Sequence, residues 1–294
     1  MRVFVTGATG FIGSAVVQEL IATGHQVLSL ARNDAGAQML AAAGAQVHWG
    51  DLENLESLRS GVTEADAVIH TAFIHDFSKF KQNCEIDKLA IEAMGQALAG
   101  SGKLMIVTAG TAVAKSDPHA LATENDLPLS SQIVHRASEE AADAIAAQGG
   151  RVAVVRLPQV HDTMKQGLVS YAIQIARQKG VAAYIGEGLN RWSAVHRFDA
   201  AHLYCLALEK GDANVRYHAV AEEGVSAREI AETIGQGLHL PVTSIAPEEA
   251  PEHFGWLAPF AGLDLAASSA LTRKRLGWEP TGPTLIADLK NMQY

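Results

Sequence analysis

The 294-residue chain is poor in the features that mark several protein classes. It has two cysteines, Cys84 and Cys205, with no Cys-x-x-Cys spacing. A disulfide framework and a zinc ribbon are therefore not indicated, and two reduced thiols in or near a core are expected. No run approaches the ~18 apolar residues that span a bilayer. Met1-Arg2-Val3-Phe4-Val5 is a short apolar strand rather than a signal peptide, so a cytoplasmic location with no membrane partner is expected. Cations are outnumbered, with Lys+Arg 23 against Asp+Glu 32, giving a net charge of -9 and no Lys/Arg run. That balance argues against nucleic acid and anionic lipid as partners. There is no Gly-x-Ser-x-Gly elbow and no His-Glu-x-x-His, which argues against serine hydrolases and zincins. Among 12 histidines, His70 and His75 lie close to Asp76, yet no repeated ligand spacing occurs and no metal is expected. Internal repeats, low-complexity tracts and linkers are also missing.

Hydrophobic residues make up 48% of the chain and charged residues 19%, a composition able to build a sizeable core. Short, nearly all-apolar segments alternate with helical periodicity through the first half. Strands are predicted at Val3–Thr6, Gln26–Ala31, Ala45–Trp49, Ala67–Thr71, Leu104–Thr108 and Val152–Leu157. Helices are predicted at Ile12–Thr23, Ala35–Ala43, Leu55–Gly61, Glu85–Gly100 and Ser131–Gln148. The second half predicts helices at Gly167–Lys179, Asp199–Lys210 and Ser226–Gly237, the last with Ser226 and Glu229 at capping-box spacing. Arg216–Ala219 reads as one more strand of the sheet. From Pro247 onward, five prolines and few strand signals suggest a tail that wraps a small lobe. The expected class is α/β, a Rossmann-type doubly wound parallel sheet with a smaller C-terminal substrate lobe. Residues 1–157 would form the dinucleotide-binding unit, with a return segment near 195–220, and residues 158–294 the remainder.

The most informative segment is Thr6-Gly7-Ala8-Thr9-Gly10-Phe11-Ile12-Gly13, which follows a predicted strand and opens a helix. Gly7 would permit the tight turn, Gly10 the approach of a pyrophosphate, and Gly13 close packing of helix on strand. The free N–H groups of the helix N-terminus would face the phosphates. Thr9, Phe11 and Ile12 belong to the same cradle.

The Gly-x-x-Gly-x-x-Gly spacing resembles that of the short-chain dehydrogenase/reductase superfamily, in its extended epimerase/dehydratase branch. Further segments fit the resemblance over nearly the whole chain. Gly50-Asp51-Leu52 resembles the family's adenine-contacting Asp-Leu. Thr71-Ala72-Phe73 resembles the turn that passes the ribose. Arg156-Leu157-Pro158-Gln159-Val160-His161 is similar to Arg-Pro-x-x-Val-Tyr near the nicotinamide. Val195-His196-Arg197-Phe198-Asp199-Ala200-Ala201 is similar to the family's Val-His-Val-x-Asp-Val-Ala opening of a helix. The resemblance implies cofactor contacts from Asp51, Leu52, Thr71, Ala72, Phe73, Thr108 and Pro158. At the end of the second strand an acid would favour NAD and a cation NADP. The sequence there is Leu30-Ala31-Arg32-Asn33, so Arg32 is the candidate for a 2′-phosphate and NADP(H) is favoured over NAD(H). Asp34 is read as the cap of the next helix.

The resemblance breaks at the catalytic centre. The family's Tyr-x-x-x-Lys has no counterpart, since no Tyr lies between residues 1 and 170. Aligning the helix by its distance to Gly149 and Arg156 puts Gln132 at the Tyr position and Arg136 at the Lys position. A two-residue shift gives Val134 and Ser138 instead. Arg136 would contact the nicotinamide ribose. Gln132 and Arg136 can orient a carbonyl but cannot shuttle a proton, whereas His135 can. In Thr108-Ala109-Gly110-Thr111 the serine position falls on Gly110, and Thr108 or Thr111 offers the hydroxyl. The pattern is similar to the atypical subgroups that keep the cofactor loop and lose Tyr-x-x-x-Lys. An NAD(P)-dependent oxidoreductase acting on a small-molecule carbonyl or alcohol is implied, as a monomer or homodimer. Tyr184, Arg191, Trp192 and His196 are candidate walls of the substrate pocket, and otherwise pack the lobe. A non-catalytic NADP(H) sensor and a nucleotide-sugar epimerase or dehydratase are the alternatives.

Overall fold

The computed structural model describes residues 1–113, 120–127 and 137–294. The first half runs β1 (Arg2–Thr6), α1 (Phe11–Ala22), β2 (Gln26–Ala31), α2 (Asp34–Ala42), β3 (Gln46–Trp49), α3 (Leu55–Thr63), β4 (Ala67–His70), α4 (Phe80–Ala97), β5 (Leu104–Gly110), α5 (Ser138–Ala147) and β6 (Arg151–Leu157). The second half continues with β7 (Gln159–His161), α6 (Val169–Lys179), β8 (Ala182–Ile185), β9 (Arg191–His196), α7 (Arg197–Lys210), β10 (Arg216–His218) and β11 (Glu222–Ser226). It ends in α8 (Ala227–Leu238), β12 (Val242–Ile245), α9 (Ala250–Phe254), α10 (Ala258–Ala261), α11 (Ala270–Leu276) and α12 (Leu285–Asn291).

Seven strands form one parallel sheet in the order β10-β6-β5-β4-β1-β2-β3. Alternate side chains of each strand feed opposite faces, which is why the central strands β1, β2, β4, β5 and β6 are mostly apolar. Val3, Val5, Val27, Ile69, Ile106 and Val155 pack with α1 and α7 on one face. Phe4, Leu28, Val68, Met105 and Val154 pack with α3, α4 and α5 on the other. The glycine of α3 serves this layer, because a Cβ at Gly61 would stand 2.5 Å from the Phe4 ring. The order of strands reverses between β1 and β4, so their C-terminal ends splay into a crevice, the place where open α/β sheets take ligands.

The predicted return strand is β10, which pairs in parallel with β6 through Arg216, Tyr217 and His218. Ser226 caps α8 by accepting from Glu229 N at 3.2 Å. Asp34 does not cap α2; Asn33 does, accepting from Gly36 N at 2.9 Å, and Asp34 is the first helical residue. Asn33 takes the role because its backbone is still in the β region where a cap must sit, whereas Asp34 has already entered the helix. The lobe carries sheets that periodicity did not suggest, β11-β9-β7 and β12-β8. Its core gathers Val169, Ile173, Trp192, Ile230, Ile234, Leu285 and Leu289. Trp278 in the tail is fully buried and donates from Nε1 to Asp199 O at 3.0 Å, fastening the tail to α7. Among the described residues no helix is long and apolar enough to cross a membrane.

Candidate active site

The glycine loop between β1 and α1 lies at the crevice. Gly7 has φ +70°, and a Cβ there would stand 2.6 Å from Ala72 N, so the loop runs directly against the Thr71–Ala72 turn after β4. A Cβ on Gly13 would collide with Gly7 O. Gly10 differs: a Cβ there meets only Gly7 O, at 3.0 Å, and is otherwise open. It caps α1 with no side chain, leaving the helix's first N–H groups exposed to whatever enters. Two glycines thus make the cradle and the third keeps it clear. Thr71 locks the facing turn by donating from Oγ1 to Thr6 O at 2.7 Å.

At the β2 end, Arg32 is exposed and makes no ion pair or hydrogen bond among the described residues. Thr9 stands beside the start of α2, its Cγ2 3.2 Å from where a Cβ of Gly36 would be. Asp51 Oδ1 accepts from Glu53 N at 2.9 Å, and Leu52 is buried in the cluster that holds Leu30 and Leu58. Phe73 makes edge contacts with His75 and Phe80. Two cations flank Phe11 at the mouth. The Arg197 guanidinium lies 5.0 Å and Lys165 Nζ 5.8 Å from its ring centroid, and Arg197 also pairs with Asp162 at 2.9 Å. Sequence reasoning missed this pair, because both come from the second half of the chain.

Beneath the crevice lies a buried polar chain that the sequence did not announce. His70 Nδ1 shares a 2.7 Å hydrogen bond with Thr6 Oγ1, and His70 Nε2 one of 3.0 Å with Asp87 Oδ1. Ser138 donates to Asp87 Oδ2 at 2.6 Å. All four side chains are essentially inaccessible. They tie β1, β4 and α4 to the first residue of α5. Thr108 belongs to the same interior: it donates to His70 O at 2.7 Å and shares a 2.6 Å bond with Tyr204 OH. The placement of its hydroxyl is inward, toward α7, rather than into the crevice. His70, His75 and Asp76 do not converge, for Asp76 instead caps the turn before α4 by accepting from Ser78 N at 3.1 Å.

Arg156 is also internal. Its Nε and one terminal nitrogen each donate to Glu139 at 2.8 Å, and the guanidinium also reaches Asp126 O and His218 Nε2. His218 accepts there and donates from Nδ1 to Ser268 O at 2.8 Å, which is the neutral ring. Burial, and next the Arg156 charge, push its pKa down to about 4. In the segment that resembles Arg-Pro-x-x-Val-Tyr, the half-buried Leu157 and Pro158 are therefore left nearest the surface. His161 is fully buried and pairs with Asp288 at 2.7 Å, with the His196 ring at 5.8 Å. Burial lowers the pKa of His196 although Asp288 opposes it.

The proposed walls pack the lobe. Arg191 pairs with Asp264 at 2.8 Å, Trp192 is buried, and Tyr184 lies under Arg228. His196 caps α7, accepting from Phe198 N at 3.4 Å. Of the catalytic candidates, Thr111 sits buried just beyond β5, its N–H donating to Leu157 O at 3.2 Å. Gln132, Val134, His135 and Arg136 lie outside the described residues, and Ser138 is the buried partner of Asp87.

Comparison with known proteins places this architecture. Residues 3–221 match the model of the NAD dependent epimerase/dehydratase family. The chain belongs to that family. An uncharacterized protein of Schizosaccharomyces pombe is 47% identical over 295 residues, covering 100% of both chains. An uncharacterized protein of Saccharomyces cerevisiae is 43% identical, covering 99% of this chain and 98% of its own. Among solved structures, a dTDP-glucose 4,6-dehydratase of Streptomyces venezuelae with NAD bound superposes with a TM-score of 0.77 at 21% identity, covering 100% of this chain and 96% of that one. That likeness is one of fold.

Proposed function

We propose that this family member is an NADP(H)-dependent oxidoreductase that interconverts a carbonyl and an alcohol on a small molecule. The observation that carries the reading is the glycine cradle. Gly7 and Gly13 are filled by neighbouring backbone, while Gly10 alone leaves open space in front of the α1 N-terminus. A dinucleotide's pyrophosphate fits that space, facing free N–H groups and the positive end of the helix. When bound, the nicotinamide supplies or accepts the hydride. Arg32 would take the adenosine 2′-phosphate, since it is the exposed cation at the β2 end and has no competing partner there. Asp51 and Leu52 would border the adenine, Thr71–Phe73 the ribose, and Pro158 the nicotinamide side. Thr111 and Arg136 are the residues proposed to orient the carbonyl oxygen, with His135 the candidate proton donor and Gln132 a neutral neighbour.

Epimerase or dehydratase chemistry is the second reading, favoured by the family match. It begins with the same hydride transfer, so the cofactor test serves both. Titration of NADPH into wild type and Gly10→Val, followed by calorimetry, tests the cradle. The valine methyls would occupy the open space, and affinity should fall at least about 100-fold. Equal affinity in the two proteins overturns the assignment. NADPH oxidation across a panel of aldehydes and ketones, with Arg136→Ala alongside, then separates an oxidoreductase from a protein that only senses the cofactor.

A further inference from the structure

The opposite edge of the sheet holds a group that the proposed chemistry does not use. His25 follows the end of α1 and precedes β2, at the N-terminal ends of the strands. Helix α1 has twelve residues, which puts His25 about 18 Å from Gly10. Facing it on α7 are Cys205 and Glu209, one helical turn apart and so on one side of the helix. His25 Nε2 is 3.0 Å from Glu209 Oε1, and Cys205 Sγ is 3.8 Å from the same oxygen. One donor atom from each residue lies within 4.8 Å of the other two. The cysteine is 2% exposed and the His25 side chain 8%, whereas the Glu209 side chain, at 36%, borders solvent.

We propose that His25, Cys205 and Glu209 form a binding site for a zinc-class divalent cation, with water as the fourth ligand. The donor set is imidazole nitrogen, thiolate sulfur and carboxylate oxygen, the combination that zinc prefers. Tetrahedral coordination at Zn–N and Zn–O of about 2.0–2.1 Å and Zn–S of about 2.3 Å sets donor atoms roughly 3.3–3.8 Å apart. The present separations need only a small rearrangement to meet that spacing. An entering ion replaces the His25–Glu209 hydrogen bond with two coordinate bonds. The third comes from Cys205, whose thiol proton is released to solvent. The Nε2 proton that His25 donates to Glu209 moves to Nδ1 as the ring changes tautomer, on the side where the Met1 ammonium lies 3.5 Å away. Thr23 Oγ1 lies 3.3 Å from the sulfur and remains a hydrogen-bond partner for it. Sequence spacing could not reveal the group, since His25 and Cys205 are far apart along the chain.

The role that follows is structural: the ion would pin the α1–β2 connection to α7. The site is independent of the crevice, so NADPH affinity serves as a control for folding. Chelator-treated protein is titrated with Co²⁺ as a spectroscopic probe and with Zn²⁺ by calorimetry. The expected result is one ion per chain, a thiolate-to-cobalt charge-transfer band, and release of a proton at neutral pH. Cys205→Ser should abolish the band. His25→Gln and Glu209→Gln should each weaken Zn²⁺ binding by more than the ~10–100-fold lost with a supporting second-layer partner. All three variants should keep wild-type NADPH affinity. The proposal is overturned by the absence of a charge-transfer band in wild type, or by Zn²⁺ binding that is unchanged in Cys205→Ser and Glu209→Gln.

Discussion

The seven-stranded sheet and the C-terminal lobe both have apolar cores but differ in how their strands are tied together. In the sheet, β1, β2, β4, β5 and β6 feed apolar side chains to both faces, and only the edge strand β3 offers little beyond the half-buried Val47. In the lobe, short strands are joined by polar ties between distant segments. Arg191 pairs with Asp264, Arg197 with Asp162, and His161 with Asp288, over separations of 73, 35 and 127 residues. Burial of apolar area is non-directional and tolerant, whereas each polar tie depends on two particular atoms. The sheet should therefore resist single substitutions that do not touch its few buried charges, and the lobe should open around individual ties.

The sheet's exception gives the largest expected effect. Arg156 is fully buried against Glu139, itself 3% exposed. Arg156→Met keeps the volume but leaves a buried carboxylate with, among the described residues, only Arg216 as ion-pair partner, at 2.6 Å. Loss of about 3–5 kcal/mol is expected by urea unfolding. The double variant Arg156→Met/Glu139→Leu should recover part of it, because the unpaired charge is then gone. A single variant as stable as wild type would show that the pair does not anchor β6.

The next effect is read in pH. His218 has an ordinary pKa of 6.5, held at about 4 in the folded chain. Above pH 6.5 the ring is neutral in both states and its stabilising contribution is whole. As pH falls, the unfolded chain takes the proton first, and stability declines until the folded ring titrates near 4. The span of about 2.5 units corresponds to roughly 3 kcal/mol. His218→Gln should flatten that part of the stability curve; an unchanged slope between pH 6.5 and 4 would assign acid sensitivity to other groups.

How much of this was legible in the sequence follows the same division. The strand Gln26–Ala31 matches β2 to the residue, since its apolar run is bounded by Gly24 and Arg32. Gly7, Gly10 and Gly13 could be assigned separate tasks because each task is local to one turn. The strands Gln159–His161, Arg191–His196 and Glu222–Ser226 were not predicted. They are three to six residues long and carry His161, Arg191, His196, Glu222 and Glu223, whose partners come from elsewhere. Asp87, Glu139 and Asp288 look like surface carboxylates on helices, and only the packed chain shows them buried against His70, Arg156 and His161. Charge reveals no partner along the chain unless the partner is a turn away.

A smaller and more local effect is expected in the lobe. Asp288 ties α12 to β7 through His161, and Leu285 N also donates to Glu222 Oε2 at 2.7 Å, so the two carboxylates together seat the tail. Asp288→Ala removes one acceptor from a buried histidine, a loss of about 1–3 kcal/mol. Hydrogen exchange should quicken in α12, β7 and β9, while β1, β4 and β5 keep their protection. Uniform loss of protection across both regions would mean that sheet and lobe unfold as one unit and would break the distinction drawn between them.

The smallest effect on folding, and the sharpest on recognition, belongs to Arg32. It stands at the sheet's edge as an exposed cation outside the apolar layers, so Arg32→Ala should leave stability within about 0.5 kcal/mol. Neither the sheet's core nor the lobe's ties involve it. Its expected work is with the ligand: a guanidinium donates two parallel hydrogen bonds to a phosphate, and such charge-assisted contacts contribute roughly 1.5–3 kcal/mol. Wild type should therefore bind NADPH more tightly than NADH, and Arg32→Ala should reduce that ratio about tenfold or more by weakening NADPH alone. Arg32→Lys should restore part of the preference, as a point charge without the fork. Paired titrations of the three proteins at two salt concentrations decide the matter, because an exposed contact weakens as the Debye length shortens. A wild-type preference for NADH, or a ratio that Arg32→Ala leaves unchanged, would remove the 2′-phosphate from this strand end while leaving the glycine cradle and the adenine and ribose contacts to be tested on their own.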